Sequence, residues 1–446
     1  MERISSDLTE PQIVALIEND PIGRNQEIAD FISLIERVEG GYSFFLNAQW
    51  GDGKTVFVKQ TSLVISALNE NLEIAEEARF AIEQSGLISK VKLTEPHFPI
   101  YYNAWKNDSL GEPLQTLIAT IALESGLYEQ AEDGPVVKEA AFGIIDSLLK
   151  PFNLNICSDF RAALSGTKYL MEYEEREELH EKVGSLIEKA KEGNGNKLVL
   201  FIDELDRCSP AFALKLLEEV KFLFENESVI LVFSTDVHQL ANIVSGAYGH
   251  NLDGMKYLGR FYDRIIPLSK PTSSTYLQSR DVRENAQWLN TVVTDLANIS
   301  ALSMRETNCY LESLDETRSV VEKFSISVDM AKAFFCAGIV PIVMLLKLRN
   351  LSEYNAVVNF ADSVPVLNYL DRSAEFKELC EATISSFSSD DRRCETYAED
   401  AKSTIDDLCV VAFSSDRHSA KCLEANRRLR HHSNCIHELA QRLVKC

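Results

Sequence analysis

Short apolar runs alternate with longer, helix-compatible stretches over roughly the first 270 residues of this 446-residue chain. Each run is rich in β-branched or aromatic residues and is bounded by polar or turn residues, which is typical of strands buried on both faces. Repeated alternation of strand and helix predicts an α/β fold, a three-layer sandwich in which helices cover both faces of a parallel sheet of about five strands. The predicted strands are Tyr42–Leu46, Phe98–Tyr102, Leu198–Ile202, Val229–Phe233 and Arg264–Pro267.

The length of the chain predicts more than one cooperative unit, because single hydrophobic cores rarely grow beyond about 250–300 residues. We expect the α/β core to occupy residues 1–270. Within it, residues from about 108 to 195 have helical periodicity and contain no strand-like run, which predicts a helical insertion. The pattern after residue 270 is helical to the end, so the C-terminal region is predicted to be all-helical.

Several features favour a soluble, cytoplasmic protein with no membrane contact. The ten cysteines include no C-x-x-C spacing, which indicates neither a disulfide framework nor a zinc ribbon. The first residues lack the apolar core of a secretory signal. The longest apolar stretch, residues 333–346, contains Gly338 and Pro341 and is shorter than the ~20 residues that span a bilayer, so we interpret it as a buried helix pair.

The charge balance is acidic, with a net charge of −23, which disfavours a general phosphate-backbone binder. The last 30 residues, the basic tail (417–446), oppose this trend with seven basic residues against two acidic ones. Contact with nucleic acid or an acidic protein through this tail therefore stays open, beside a plain solvated helical face. The i,i+4 spacing of His418 with Cys422 and of His431 with Cys435 adds a zinc site as a further alternative.

A glycine-containing loop follows the first predicted strand and precedes a helical stretch: Ala48-Gln-Trp-Gly-Asp-Gly-Lys-Thr55. Glycines let backbone N–H groups turn inward towards phosphates, and the dipole of the following helix favours the anion. Lys54 is expected to reach the β- and γ-phosphates, and the Thr55 hydroxyl to ligate Mg²⁺. The predicted cofactor-binding residues of this phosphate loop are Trp50, Gly51, Asp52, Gly53, Lys54, Thr55 and Val56.

The phosphate loop departs from the pattern G-x-x-x-x-G-K-[ST] at its first position, where this chain has Ala48. Alanine adopts a positive φ only at an energetic cost. Ala48 therefore puts tight wrapping of the phosphates in question, and with it hydrolysis more than binding.

A second polar cluster follows the predicted strand Leu198–Ile202, as the acid pair Asp203-Glu204. Ligands of open α/β sheets bind outside the carboxyl ends of the strands, where this pair lies. Asp203 is expected to hold Mg²⁺, and Glu204 to act as general base on the attacking water. Residues 234–236, Ser-Thr-Asp, follow another strand and are read either as a γ-phosphate sensor or as ordinary helix caps.

The spacing between the two halves of the site leaves room for an additional strand, Phe98–Tyr102, between Lys54 and Asp203. Such a strand characterises the catalytic-glutamate division of P-loop enzymes. Guanine specificity usually shows as an N/T-K-x-D motif, and the nearest segments, 105–108 and 167–170, do not fit it. We therefore expect ATP with Mg²⁺ as the ligand rather than GTP.

Three of these segments together resemble the KAP family of P-loop ATPases: Trp50–Thr55, Tyr102–Trp105 and the run from Asp203 to Pro210, whose D-R-C-x-P ending is the most specific. The resemblance extends through Tyr257–Arg264 and Leu302–Glu306, about residues 15–315. The family often has two aspartates where this chain has Asp203-Glu204. Many members carry transmembrane helices between the two halves of the site, and this chain looks like a soluble member.

The resemblance implies an ATP-driven conformational switch or assembly motor, acting as a homo-oligomer or with a partner protein of the same system, in bacterial defence against phage. A non-hydrolysing ATP-dependent scaffold and a nucleic-acid-sensing module are the alternatives. By the same analogy, residues 271–315 form a helical lid, followed by the C-terminal region 316–446. Residues near the N-terminus, 20–24, resemble segments that pack on adenine, which makes Arg24 a cofactor-binding candidate. The arginines expected to sense or stabilise phosphate charge, in cis or in trans, are Arg305 on the lid, Arg207, Arg260 and Arg264.

Overall fold

The computed structural model describes residues 8–38, 40–91, 93–110, 112–127, 167–224, 228–249, 251–270, 287–323, 330–387, 397–429 and 433–444. The chain divides into two compact units, residues 2–270 and 271–446, which are described separately. The further division into a lid (271–315) and a C-terminal region (316–446) stays a prediction.

A five-stranded sheet forms the centre of the first unit, and all its strand pairs are parallel. The predicted α/β class is confirmed. Each predicted strand is present, four of them longer by one to two residues at one or both ends. The strands are β1 (Tyr42–Asn47), β2 (His97–Asn103), β3 (Lys197–Asp203), β4 (Val229–Thr235) and β5 (Arg264–Pro267).

The strand order is β2-β3-β4-β1-β5, which places β4 between the strand of the phosphate loop and the strand of the acid pair. The register sets Thr235 of β4 beside Asn47 of β1, and Ser234 beside Asp203 of β3. The additional strand predicted at 98–102 intervenes between the two halves along the chain, but in the sheet it is the edge strand β2. Residues of β4, not of β2, therefore line the gap between the two halves.

Alternating side chains of the strands enter two separate apolar cores, one on each face of the sheet. Phe45, Tyr102 and Leu200 pack into one core, and Phe44, Leu46 and Phe201 into the other. Full burial of such a side chain stabilises the fold by ~1.5–3 kcal/mol, so both faces must be covered by helices. The near-continuous apolar runs in the sequence are the direct expression of this double burial.

Helices cover the sheet on both faces in the first unit. Their bounds are Glu10–Asn19, Asn25–Arg37, Lys54–Leu68, Glu76–Gln84, Leu87–Lys90, Ala104–Asn107, Pro113–Glu124, Thr167–Lys191, Pro210–Leu223, Val237–Tyr248 and Gly254–Leu258, with a 3-10 turn at Leu205–Arg207.

Two helices fall within the predicted insertion at 108–195, Pro113–Glu124 and Thr167–Lys191, while residues 128–166 lie outside the described part of the chain. The chain re-enters the fold at Gly195, directly against the residue that precedes β2. A Cβ at Gly195 would lie 2.8 Å from the Pro96 carbonyl oxygen. The next amide, of Asn196, donates to that same oxygen at 2.7 Å.

The described residues of the second unit form only helices around one apolar core. Their bounds are Gln287–Ile299, Met304–Lys323, Met330–Phe334, Val340–Arg349, Leu351–Phe360, Val364–Leu367, Ala374–Phe387, Tyr397–Phe413, Ala420–Arg428 and Ser433–Val444, with a π turn at Phe335–Ile339.

The long apolar stretch is buried, as predicted, but it is not a helix pair. One helix runs through Met330–Arg349 and contains the π turn just before Pro341. Proline has no N–H to donate to the preceding turn, and a π turn accommodates that loss without ending the helix. By length and composition residues 331–349 could cross a membrane, yet 78% of the apolar window is buried within the structure. A core helix of a soluble protein meets the same criteria, while a cytoplasmic location stays a prediction.

Candidate functional site

The phosphate loop leaves the carboxyl end of β1 and enters the helix Lys54–Leu68, as the sequence predicts. Gly51 and Gly53 have φ of 90° and 81°, values that an L side chain reaches only with strain. Ala48 is not among the residues with positive φ. The strain expected from alanine at the first position is therefore absent, because the two glycines make both left-handed turns. Val56 lies in the first turn of the helix, half-buried.

Lys54 lies folded over its own loop. Its Nζ donates to the carbonyl oxygens of Ala48 at 2.6 Å and Gln49 at 3.3 Å. Burial lowers the pKa of Lys54, and the carboxylates of Asp206, Asp236 and Asp203 oppose that shift. The ammonium group is thus held beside the loop among carboxylates. Phosphate oxygens can replace the two carbonyl oxygens as its hydrogen-bond acceptors.

Arg24 supports the backbone of the phosphate loop by hydrogen bonds. Its guanidinium donates to the carbonyl oxygens of Asp52 at 2.8 Å, Gly53 at 3.3 Å and Ser269 at 3.1 Å. Glu27 lies 3.8 Å away, and burial lowers the pKa of Arg24. The structure therefore gives Arg24 a role in positioning the loop backbone, and the predicted packing on adenine stays untested.

Asp203 is fully buried at the end of β3. Its Oδ2 accepts a hydrogen bond from the Tyr101 hydroxyl at 3.0 Å, and its Oδ1 has no hydrogen-bond partner among the described residues. Burial raises the pKa of Asp203, and the hydroxyls of Thr55, Ser234 and Tyr101 counteract the rise. A buried carboxylate oxygen without a partner, next to the Thr55 hydroxyl, fits the oxygen ligands that Mg²⁺ prefers.

Glu204 adopts a left-handed conformation with φ of 62°, which costs a non-glycine residue ~1–2 kcal/mol. Such strain concentrates at functional sites, where surrounding contacts maintain it. Oε1 lies 3.4 Å from the Thr55 hydroxyl, and Oε2 accepts from Arg207 Nη1 at 2.9 Å. Burial raises the pKa of Glu204, and the charge of Arg207 opposes that rise.

Asp206 connects the phosphate loop with the end of β4, a role that sequence reasoning missed. Its Oδ2 accepts from the Trp50 indole N–H at 2.5 Å and from the Asp236 amide at 3.0 Å. Asn47, also missed, accepts from the amide of Val237 at 3.0 Å. The phosphate loop and the end of β4 are thus joined by side chains in addition to the backbone hydrogen bonds of the sheet.

The Ser-Thr-Asp triplet divides between the two roles considered for it. Asp236 caps the helix Val237–Tyr248, because its carboxylate accepts from the amides of His238 and Gln239. The Thr235 hydroxyl is buried and has no hydrogen-bond partner among the described residues. Thr235 and Ser234, rather than Asp236, are therefore the residues of β4 that fit a sensor role.

Residues 24–327 match the model of the KAP family P-loop domain. This chain belongs to the KAP family. The match begins and ends slightly later than the range of about 15–315 expected from the motifs, and it covers both halves of the site. A comparison with curated proteins finds no match. Membership of the KAP family indicates nucleotide binding, generally together with Mg²⁺.

The D-R-C-x-P segment that typifies the KAP resemblance is a turn that fixes Glu204 and starts the next helix. The Arg207 amide and the Cys208 thiol both approach the Glu204 carbonyl oxygen, at 3.1 Å and 3.6 Å. Pro210 occupies the start of the helix Pro210–Leu223, where a missing N–H costs nothing. Burial raises the pKa of Cys208, so this thiol is a packing group rather than a nucleophile.

The other KAP motif, Tyr102–Trp105, lies against this turn although about 100 residues separate the two in the chain. Asn103 pairs with Asp203 in the sheet register and caps the short helix Ala104–Asn107. Asp108 accepts from the amide and the hydroxyl of Ser209 at 2.9 and 2.8 Å. The Arg207 guanidinium lies over the Trp105 ring, 5.6 Å from its centre.

Two other candidate arginines of this KAP chain, Arg260 and Arg264, are not joined to the phosphate loop by any hydrogen bond or ion pair of the described residues. Arg264 is exposed at the amino end of the edge strand β5, opposite Phe44 and away from the carboxyl ends. Arg260 is exposed and stacks on Tyr257 at 5.5 Å. Arg305 lies in the first turn of the helix Met304–Lys323, in the second unit. Their catalytic roles stay predictions.

The basic tail is partly neutralised within its own unit. Arg428 forms two hydrogen bonds with the buried Asp407, at 2.7 and 2.6 Å, and Lys421 lies 3.7 Å from Asp406. The part of the chain that the structure describes contains no group of three or more His, Cys, Asp or Glu residues that could hold a metal ion. Of the zinc candidates, His431 and the side chain of Cys435 lie outside that part, so the zinc alternative is not tested.

Proposed function

We propose that this KAP family chain binds ATP with Mg²⁺ and hydrolyses it, acting as a conformational switch or assembly motor. One observation supports the proposal above others: the Thr55 hydroxyl, the unpartnered oxygen of Asp203 and the Glu204 carboxylate converge where β1 and β3 end. A phosphate-binding backbone, oxygen ligands for the metal and a candidate general base are the parts that P-loop hydrolysis requires.

Each part has its own task in the proposed mechanism. Loop N–H groups and the N-terminus of the helix Lys54–Leu68 bind the phosphates. Lys54 exchanges its bonds to loop carbonyls for bonds to phosphate oxygens, and Glu204 accepts a proton from the attacking water. Thr55 and Asp203 would hold the metal, which would supply positive charge that neutralises the phosphates.

Mg²⁺-dependent ATP turnover by the purified chain, with ATP binding measured in parallel, tests the proposal. Lys54→Ala should weaken binding and abolish turnover. Glu204→Gln should lower kcat by about 10²- to 10⁴-fold while ATP still binds, because an amide accepts no proton. Glu83→Gln and Lys90→Ala, at exposed positions of the same unit, are matched controls that should change neither quantity. Turnover that survives in both site variants would sink the proposal.

A second candidate, an ATP-dependent scaffold that does not hydrolyse, is supported by the fact that both Glu204 oxygens have protein partners. It predicts tight ATP binding without turnover in the wild type as in Glu204→Gln. Ala48, which first suggested this alternative, no longer favours it, because its φ is not positive.

The biological setting is proposed from the family resemblance alone. The chain would act in the cytoplasm as a homo-oligomer or with a partner protein of the same system, in defence against phage. Light scattering with and without ATP tests the assembly. Phage plating on cells that carry the wild type or Glu204→Gln tests the defence role, and equal protection by both would contradict a role that needs hydrolysis.

Nucleic-acid sensing through the basic tail is the remaining candidate. It requires that deletion of residues 417–446 abolish a salt-dependent binding of nucleic acid. The ion pairs of Arg428 and Lys421 within the unit leave fewer free charges for such a partner than the sequence suggests.

A further inference from the structure

Two neighbours hold the carboxylate of Glu204 in place. Oε1 lies 3.4 Å from the Thr55 hydroxyl, and Oε2 lies 2.9 Å from Arg207 Nη1. A general base must present an oxygen to the attacking water within hydrogen-bond reach. Thr55 would ligate the metal in the proposed mechanism, so the bond to Arg207 is the contact that governs how freely Glu204 can act.

Arg207 and the ring that it contacts are both accessible from the protein surface. Its side chain is 23% exposed, and its guanidinium lies over the ring of Trp105, which is 51% exposed. The segment that carries Trp105 is fixed to the turn after Glu204 by the two bonds between Asp108 and Ser209. Arg207 is thus shared between a buried carboxylate and an exposed aromatic ring.

We infer that Arg207, seated on Trp105, is a positioning residue that restrains Glu204 and thereby limits the basal rate of hydrolysis. The inference rests on the proposed function and adds a control to it. It reverses the sign of the role that the family resemblance implies, because removal of a residue that stabilises phosphate charge slows turnover, whereas removal of a restraint accelerates it.

Steady-state kinetics of Arg207→Gln, Arg207→Lys and Trp105→Leu test the inference. Arg207→Gln should raise kcat about fivefold, the factor expected for loss of one partly exposed ion pair, with KM for MgATP nearly unchanged. Arg207→Lys should lie between wild type and glutamine, and Trp105→Leu should raise kcat less.

Arg37→Gln, an exposed arginine of the same unit, is the matched control and should leave kcat unchanged. A kcat of Arg207→Gln at or below that of the wild type overturns the inference. If thermal unfolding shows that Arg207→Gln does not fold, the direction of the change in kcat in Arg207→Lys and Trp105→Leu decides.

Failure of the proposed function looks different. In that case the wild type binds no ATP, neither the wild type nor any variant hydrolyses it, or turnover does not depend on Lys54 and Glu204. Turnover that depends on both residues but falls in Arg207→Gln would reject the restraint alone.

Discussion

Replacing Arg24 by methionine removes a buried guanidinium from behind the phosphate loop and leaves an apolar side chain of similar length. Three carbonyl oxygens, of Asp52, Gly53 and Ser269, then lose the hydrogen bonds from Arg24, and the Gly53 oxygen keeps only the bond from the Phe57 amide. Two of these carbonyls belong to the loop itself, so the loop backbone loses the contacts that fix its orientation.

The expected cost follows from these contacts. Hydrogen bonds from a charged donor contribute ~1.5–3 kcal/mol each, and the cost of burying the guanidinium, which also lowers the pKa of Arg24, offsets part of that gain. The net loss should be about 2–4 kcal/mol in the free energy of unfolding of the unit 2–270. For a unit of this size, 1 kcal/mol corresponds to ~2–4 °C, so Tm should fall by roughly 4–16 °C.

Thermal unfolding and titration with MgATP measure the two effects. Binding should weaken as well, because a loop without its brace must be ordered by the ligand. Arg37→Met, at the exposed end of the helix that follows Arg24, is the control and should shift Tm by less than about 2 °C. An Arg24→Met chain with the Tm and ATP affinity of the control would refute the assigned role.

Three further changes probe other contacts of the same chain. Trp50→Phe removes the hydrogen bond from the indole to Asp206 and should weaken MgATP binding about fivefold, the equivalent of ~1 kcal/mol. Titration with MgATP measures this loss, and an unchanged affinity would contradict the coupling between the phosphate loop and the end of β4. Gly53→Ala places a side chain at φ 81° and should cost ~1–2 kcal/mol of loop stability, seen as weaker binding and a lower Tm; unchanged values would mean that the loop can turn without glycine. Arg428→Met leaves the buried Asp407 without its partner and should destabilise the helical unit by ~2–4 kcal/mol in denaturant unfolding, with recovery in the double variant Asp407→Leu/Arg428→Met.

The strands of the first unit were predictable because burial on both faces leaves near-continuous apolar runs in the sequence. Their order was not, because pairing of parallel strands depends on crossover connections that residue patterns do not encode. The placement of β4 between β1 and β3 is therefore a result of the structure, although every strand was expected. The π turn at Phe335–Ile339 escaped prediction for a related reason: Pro341 usually signals the end of a helix, and the surrounding core overrides that signal.

The candidate site divides in the same way. Lys54, Thr55, Asp203 and Glu204 carry local signals, a glycine loop and an acid pair after a strand, and the structure brings them together. Their supporting contacts join positions far apart in the chain. Tyr101 supports Asp203 across two adjacent strands, a contact that only the register reveals. For Asp206, the only local signal was its position as a third carboxylate, three residues after Asp203.

The two ends of the insertion at 108–195 have a practical consequence for exchanging parts between KAP proteins. Asp108 holds Ser209 at one end, and at the other Gly195 passes the Pro96 carbonyl oxygen too closely for a side chain. The junctions of a chimera should therefore lie between these two residues, within about 112–192, so that the recipient protein keeps its own Asp108 and Gly195 contacts. If the junctions lay outside Asp108 and Gly195, the exchange would also remove the contact that holds the turn after Glu204.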